Sequence, residues 1–211
     1  DTWLSEAEHL KSVNERAYNN EYLGVVTGTG GQVFENVTTR EITDAEIAEF
    51  DHIYNGLDFG FAVSPAHWTK MHYDATRRRL FIFAEVRRWK ASNEDMYKAI
   101  VEAEYIRDDL LIADSAEPKS INDLRQYGAN VRGAEKGRDS VRYGMRFLEN
   151  LTEIVIDPAR CPYTAEEFLS YEYEQNAQGE YLSEYPDENN HAIDSVRYGL
   201  GTVIVRRGGG K

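Results

Sequence analysis

Asp58, Asp114, His191 and Asp194 are the residues of this 211-residue chain whose types and settings could do chemistry. Carboxylates with an imidazole form a donor set for a divalent cation. Asp58 lies in the β-forming run HIYNGLDFGFA (52–62). With a period of two it shares a face with Tyr54, Gly56 and Gly60, while Leu57, Phe59 and Phe61 turn the other way. A carboxylate there costs free energy unless an arginine or another cation pairs with it, and the flanking glycines leave room for a ligand. Asp114 ends the apolar run of DLLIADS (109–115), at the carboxyl end of a strand, where open α/β sheets place their ligands. With Ser115 and Pro118 behind it, the same residue suits a turn or a helix cap.

His191 and Asp194 are three apart on a predicted last helix, from about Asn190 to Val205, and so share a face. Ile193, Val196, Leu200 and Val203 gather on one side of it. His191, Asp194, Ser195 and Tyr198 gather on the other, which turns either to solvent or to the sheet edge above Asp58 and Asp114. The hexapeptide DSVRYG occurs twice, at 139–144 and 194–199. Its flanks differ, so no structural repeat is expected. Lys136, Gly137 and Arg138 before Asp139 suit phosphate contact at a helix N-terminus. His191 before Asp194 suits metal chemistry, so Asp194 and not Asp139 is assigned to the site.

The elements that must position these residues read as follows. A charged helix is expected over 4–19, then a connector through EYLGVVTGTGGQVFENV (21–37), then a short helix at TDAEIAEF with Thr43 and Glu46 as its start. Strands 52–62, 66–76 and 79–89 form an antiparallel meander with a tight TRRR turn. A helix over 93–108, the buried strand 109–115, a helix over 120–128 closed by Gly128, and a strand then loop over 130–137 come next. A helix over 139–150 capped by Asp139, a strand at 153–158, and a helix over 164–175 with a Thr164–Glu167 capping box precede the last helix. Strands in a meander, followed by alternating helices and strands, imply a mixed sheet with helices on both faces.

Bulk properties bound the function. A net charge of −13 argues against a general nucleic-acid binder, but the basic residues cluster at Arg77–Arg79, at Arg87, Arg88 and Lys90, and from Arg132 to Arg146. Net acidity also fits a divalent-metal site, which needs several carboxylates close together. The single cysteine, Cys161, excludes an internal disulfide and a cysteine-rich zinc site and suits a reducing cytosol. No apolar run approaches the ~20 residues of a membrane span, and the absence of G-x-x-x-x-G-K-[ST] excludes a translocating ATPase. The chain opens on Asp1 without a signal pattern and reads as a piece of something longer.

Taken in order, the LDFG strand, the hairpin, a third strand carrying Glu85, the strand ending ADSAEPKSI and the late helix HAIDSVRYG resemble the carboxy-terminal nuclease of phage large terminase subunits. EYLGVVTGTGGQVFENV resembles the segment that joins the packaging ATPase to it, so the likeness spans roughly residues 18–205. The resemblance implies a ribonuclease H-like fold and a division into a connector from an absent ATPase domain (1–50), a nuclease domain (51–205) and a flexible tail (206–211). It implies a Mg2+- or Mn2+-dependent endodeoxyribonuclease that cuts concatemeric viral double-stranded DNA during packaging, using two divalent ions. Asp58, Asp114 and Asp194 would bind the metals, with His191 as ligand or proton-handling group. Lys119, Lys136, Arg138 and Arg142 are candidate DNA contacts, and Glu85 is expected to support the site rather than bind an ion. Many relatives carry an aspartate where this chain has Ser64, and that position is read as lying outside the ligand set. Expected partners are double-stranded DNA, the small terminase subunit, the portal and procapsid, and the ATPase domain of the same polypeptide, with no membrane, in the cytoplasm of the infected host. Competing expectations are a Holliday-junction resolvase or hybrid nuclease of the same fold class, and a non-catalytic docking module of the motor.

Overall fold

The computed structural model describes residues 30–60 and 64–204. The expected helix over 4–19, most of the connector and the 206–211 tail lie outside them. Among the described residues seven strands form one sheet: β1 (Val37–Thr39), β2 (Ile53–Asp58), β3 (Ala66–Asp74), β4 (Arg79–Arg88), β5 (Leu111–Ala113), β6 (Val131–Gly133) and β7 (Glu153–Ile156), in the order β1-β7-β4-β3-β2-β5-β6. The meander is as expected: β2 with β3 and β3 with β4 are antiparallel, and the β3–β4 turn is closed by Asp74, which accepts from the Arg77 amide at 3.0 Å. Every other pairing is parallel.

Six helices accompany the sheet among the described residues: α1 (Asp44–Ala48), α2 (Asn93–Glu102), α3 (Pro118–Gln126), α4 (Ser140–Glu149), α5 (Pro162–Ser170) and α6 (His191–Gly199). The period-two alternation of the strands divides the core by face, and a bulge in β4 at Phe83, where Lys70 pairs with Ala84 and Met71 with Ile82, switches the parity so that Val86 faces away from Leu80 and Ile82. Met71, Leu80, Ile82, Ile154 and Ile156 pack with Met145 and Leu148 of α4, Phe168 of α5, and Ile193 and Val196 of α6. On the other face Leu57, Trp68, Val86 and Leu111 pack with Met96 and Ile100 of α2 and with Ile121 and Leu124 of α3. Fully burying side chains of this size stabilises by roughly 1.5–3 kcal/mol each.

Several expectations are corrected. Val33, Phe34 and Ile42 are core residues and β1 extends the sheet, so the stretch from 31 to 50 is part of this fold rather than a separate connector. A three-residue strand is too short to show a period in sequence. The Thr164–Glu167 capping box does not form. Pro162, which lacks an amide hydrogen, begins α5 two residues earlier, and Glu85 of β4 caps it instead, accepting from the amides of Tyr163 (3.0 Å) and Thr164 (2.8 Å) and from the Thr164 hydroxyl (2.7 Å). Asp139 occupies the position before α4 but makes no side-chain cap. The last helix stops at Gly199, where two weak helix formers, Gly199 and Gly201, follow within three residues, although Val203 and Ile204 still pack on the core. Thr43 does cap α1, accepting from the Glu46 amide at 3.2 Å.

One close approach sets the site. A Cβ at Gly56 would lie 1.8 Å from the Ser195 carbonyl oxygen, and one at Gly199 would lie 3.0 Å from the Gly56 nitrogen. Only glycine lets α6 lie directly on the backbone of β2. The Ser195 hydroxyl fixes the contact by donating to the Gly56 carbonyl at 2.9 Å, with Thr69 Oγ1 at 2.8 Å.

Candidate active site

Asp58 is the last residue of β2 and leaves the strand on the Gly56 face, beneath α6. Leu57 pairs with Ala113 in the parallel β2–β5 ladder, and the Asp114 amide donates to the Leu57 carbonyl at 3.0 Å. Asp58 and Asp114 therefore stand side by side at the carboxyl ends of neighbouring parallel strands. The first turn of α6 brings His191 Nδ1 to 2.8 Å from Asp58 Oδ2. An ionised carboxylate only accepts, so Nδ1 carries the hydrogen, and Nε2 makes no bond to any described residue. Asp194, next on that face, pairs with Arg197 one turn later. Lys136, from the loop between β6 and α4, pairs with Asp114 and sits 5.4 Å from the centre of the Tyr198 ring.

The electrostatics record the crowding. Burial pushes the Asp58 carboxyl up to about 6, with Asp194 and Asp114 adding to the rise against the hydrogen bond from His191. Burial also raises Asp194, against the pull of Arg197. The His191 imidazole is raised by its bond to Asp58. Tyr198 is raised by burial and then by Asp194, Asp114 and Asp58 together, so one phenol feels all three aspartates.

Among the described residues, no three histidine, cysteine, aspartate or glutamate side chains stand close enough to hold an ion as they are. The physical reason is that each acid is drawn to a donor or cation of its own: His191, Lys136 or Arg197. The donor set nevertheless fits hard divalent cations. Asp58 bonds only through Oδ2, Asp114 only through Oδ1 (to Lys136 and, at 2.8 Å, the Ala116 amide) and Asp194 only through Oδ1, so each keeps one oxygen uncommitted among the described residues.

The family model described as the terminase RNase H-like domain matches residues 58–201, which spans every one of these side chains. The chain belongs to this family. This terminase domain is 40% identical over 200 residues to the large terminase subunit of Bacillus phage SPP1, covering 93% of this chain and 47% of that protein. It is 27% identical over 146 residues to the PBSX phage large terminase subunit of Bacillus subtilis strain 168, covering 69% of this chain and 33% of that one. It thus spans about half or less of the length of these relatives. The crystal structure of the SPP1 large terminase nuclease domain with bound Mn superposes with a TM-score of 0.76 at 38% identity, over 81% of this chain and 98% of that one. The P22 large terminase nuclease domain shares the fold at 13% identity, with a TM-score of 0.60 over 82% of this chain and 93% of that one.

Within the terminase domain, Asp58, Asp114, Asp194, His191 and Lys136 come together. Lys119 lines a separate cavity with Phe59 and Gly60, just past the end of β2. Arg138 and Arg142 are exposed and make no contact with the acids among the described residues. Glu85 supports the site only by holding α5. Burial alone would raise its carboxyl, but hydrogen bonds from His67, Thr164 and the Tyr163 amide outweigh that and hold it low. Sequence reasoning missed Glu167 and Arg197. Glu167 Oε1 accepts from the Ile193 amide at 2.8 Å, and burial pushes its carboxyl up to about 7. Its position three residues after buried Thr164, hence on the same helix face, was the available signal.

Proposed function

We propose that this chain is the metal-dependent DNA endonuclease domain of a phage large terminase subunit and cuts concatemeric double-stranded viral DNA during genome packaging. The observation that carries the reading is the meeting of three aspartates and one histidine from β2, β5 and α6 at the carboxyl ends of parallel strands. The Mn bound by the SPP1 nuclease domain supports divalent-ion use. Asp58, Asp114 and Asp194 would hold the divalent ions, two by this reading, and His191 would add Nε2 or handle a proton. Mg2+ or Mn2+ bound there would activate a water and relieve charge on the leaving oxygen of the phosphodiester.

The chain's own residues do the rest. Gly56 and Ser195 seat α6 so that His191 and Asp194 stay above Asp58. Arg197 pairs with Asp194 and Lys136 with Asp114, so each gives a carboxylate a counter-charge that a bound cation would otherwise supply. Cleavage follows the backbone and so shows little sequence preference, with binding that weakens steeply as salt rises. Tight DNA affinity in the whole protein would come from its other parts, with an ATPase domain in the same polypeptide; the partners by this reading are the small terminase subunit and the portal of the procapsid, in the host cytoplasm.

The test is cleavage of plasmid DNA with Mn2+. Asp58→Ala, Asp114→Ala and Asp194→Ala each abolish it, and variants that all cut like the parent would defeat the reading. The ion pairs already formed by Asp114 and Asp194 favour one second reading, a docking module that needs no metal. That module shows no thermal shift on addition of Mn2+, whereas the nuclease does.

A further inference from the structure

Arg87 is the next inward-facing residue after Glu85 on β4, so both side chains leave the strand on the same face. Glu85 caps α5. Arg87 instead lies with its guanidinium 4.7 Å from the centre of the Tyr163 ring and 5.9 Å from that of Trp89. It lines an open cavity of about 400 Å³ whose wall includes Tyr163, Glu167, Asn189 and His191. Nε of Arg87 is buried without a hydrogen-bond partner, and the guanidinium makes no ion pair with any described residue. This occurs in a chain of 37 acidic and 24 basic residues, beside a cavity lined by four glutamates. A cation that pulls on Glu167 only through space and makes no hydrogen bond or ion pair with the described carboxylates around it, while stacking on one ring and flanked by another, is poised for an anion from outside. Trp89 is 56% exposed and Tyr163 47%, so the two rings offer open stacking faces on either side of it. Arg88 and Lys90 follow on the exposed rim.

We infer that Arg87, between Tyr163 and Trp89, takes a backbone phosphate of the DNA strand entering the site from the His191 side, and that Trp89 stacks on that strand. The inference rests on the nuclease reading, and it adds a contact at the carboxyl-terminal end of β4, away from the Lys119 and Lys136 side. A phosphate here would neutralise the one guanidinium of the cavity and be kept from its remainder by the glutamates, which fixes the position of the strand as well as holding it.

Binding of a fluorescein-labelled duplex in EDTA, followed by anisotropy from low to physiological salt, tests this. Arg87→Gln weakens binding and lowers the slope of log affinity against log salt by about 0.9, the loss of one phosphate contact. Arg87→Lys keeps the slope. Trp89→Ala weakens binding about tenfold without changing the slope, because stacking releases no counterion. Arg77→Gln, in the turn that precedes β4 and paired with Asp74, serves as control. Where the metal-free complex is too weak to measure, the same slope is read from kcat/KM with Mn2+, and Arg87→Gln raises KM more than it lowers kcat. Thermal melts confirm that the variants fold. An Arg87→Gln slope equal to that of the parent or of Arg77→Gln overturns the inference. If the parent cuts DNA while that slope is unchanged, this inference alone fails. If the aspartate variants cut like the parent, the nuclease reading fails instead.

Discussion

Replacing Glu167 with glutamine removes one buried charge and keeps the acceptor that holds the Ile193 amide. The carboxyl rises from its ordinary 4.5 to about 7, chiefly because burial disfavours the ionised form. That gap corresponds to about 3 kcal/mol. A carboxyl whose pKa is raised by folding stabilises fully below its unfolded value, and the contribution is lost as pH climbs through the folded value. The metal-free parent therefore loses about 3 kcal/mol at this residue between pH about 4.5 and 7, and Asp58, raised to about 6, adds a loss of the same sign. Glu167→Gln escapes its share. In EDTA at pH about 8 the variant melts higher than the parent by roughly 6–12 °C, since a domain of this size gains about 2–4 °C per kcal/mol. At pH about 5, where the parent carboxyl is already protonated, the two melt together. Thermal unfolding by circular dichroism at both pH values is the assay. A variant that is equally stabilised at both, or a parent more stable at the higher pH than at the lower, would refute the reasoning.

Three further outcomes are expected. Gly56→Ala drives a methyl group into the Ser195 carbonyl, costing about 3 kcal/mol or more in urea unfolding and abolishing nuclease activity; an active, stable variant would mean that α6 does not need its present seat. Arg197→Ala leaves the buried Asp194 without its counter-charge and destabilises the metal-free domain by about 3–5 kcal/mol, part of which saturating Mn2+ restores; equal losses with and without the ion would show that Asp194 does not meet it. Lys136→Ala frees Asp114 and tightens Mn2+ binding by calorimetry; weaker binding would remove Lys136 from the role of competitor.

Much of this was legible in the sequence because it is local. Alternation along β2 put Asp58 with Gly56 and away from Leu57, and the TRRR turn fixed the hairpin. What escaped depends on partners remote in the chain. Thr164 and Glu167 have the spacing of a capping box, yet the carboxylate that caps α5 belongs to Glu85, 79 residues away from Thr164. The helical wheel of α6 showed one apolar side and left the other open between solvent and sheet. In the fold both sides are covered, down to Arg197 at 7% exposure, because the polar side lies against β2, β3 and α4. The differing flanks of the two DSVRYG copies argue against a structural repeat but say nothing of contact between them. The two copies in fact meet: a Cβ at Gly144 of the first would come 2.8 Å from Nε of Arg197 in the second. Sequence spacing cannot reveal that a motif packs on its own duplicate.

Among the described residues the sheet has two margins, β1 and β6, and each is a strand of only three residues. A neighbouring chain seeking to add a strand at either margin finds few backbone donors and acceptors in register. Crowding many copies together in solution should therefore not zip them edge to edge, whatever surfaces they use to associate.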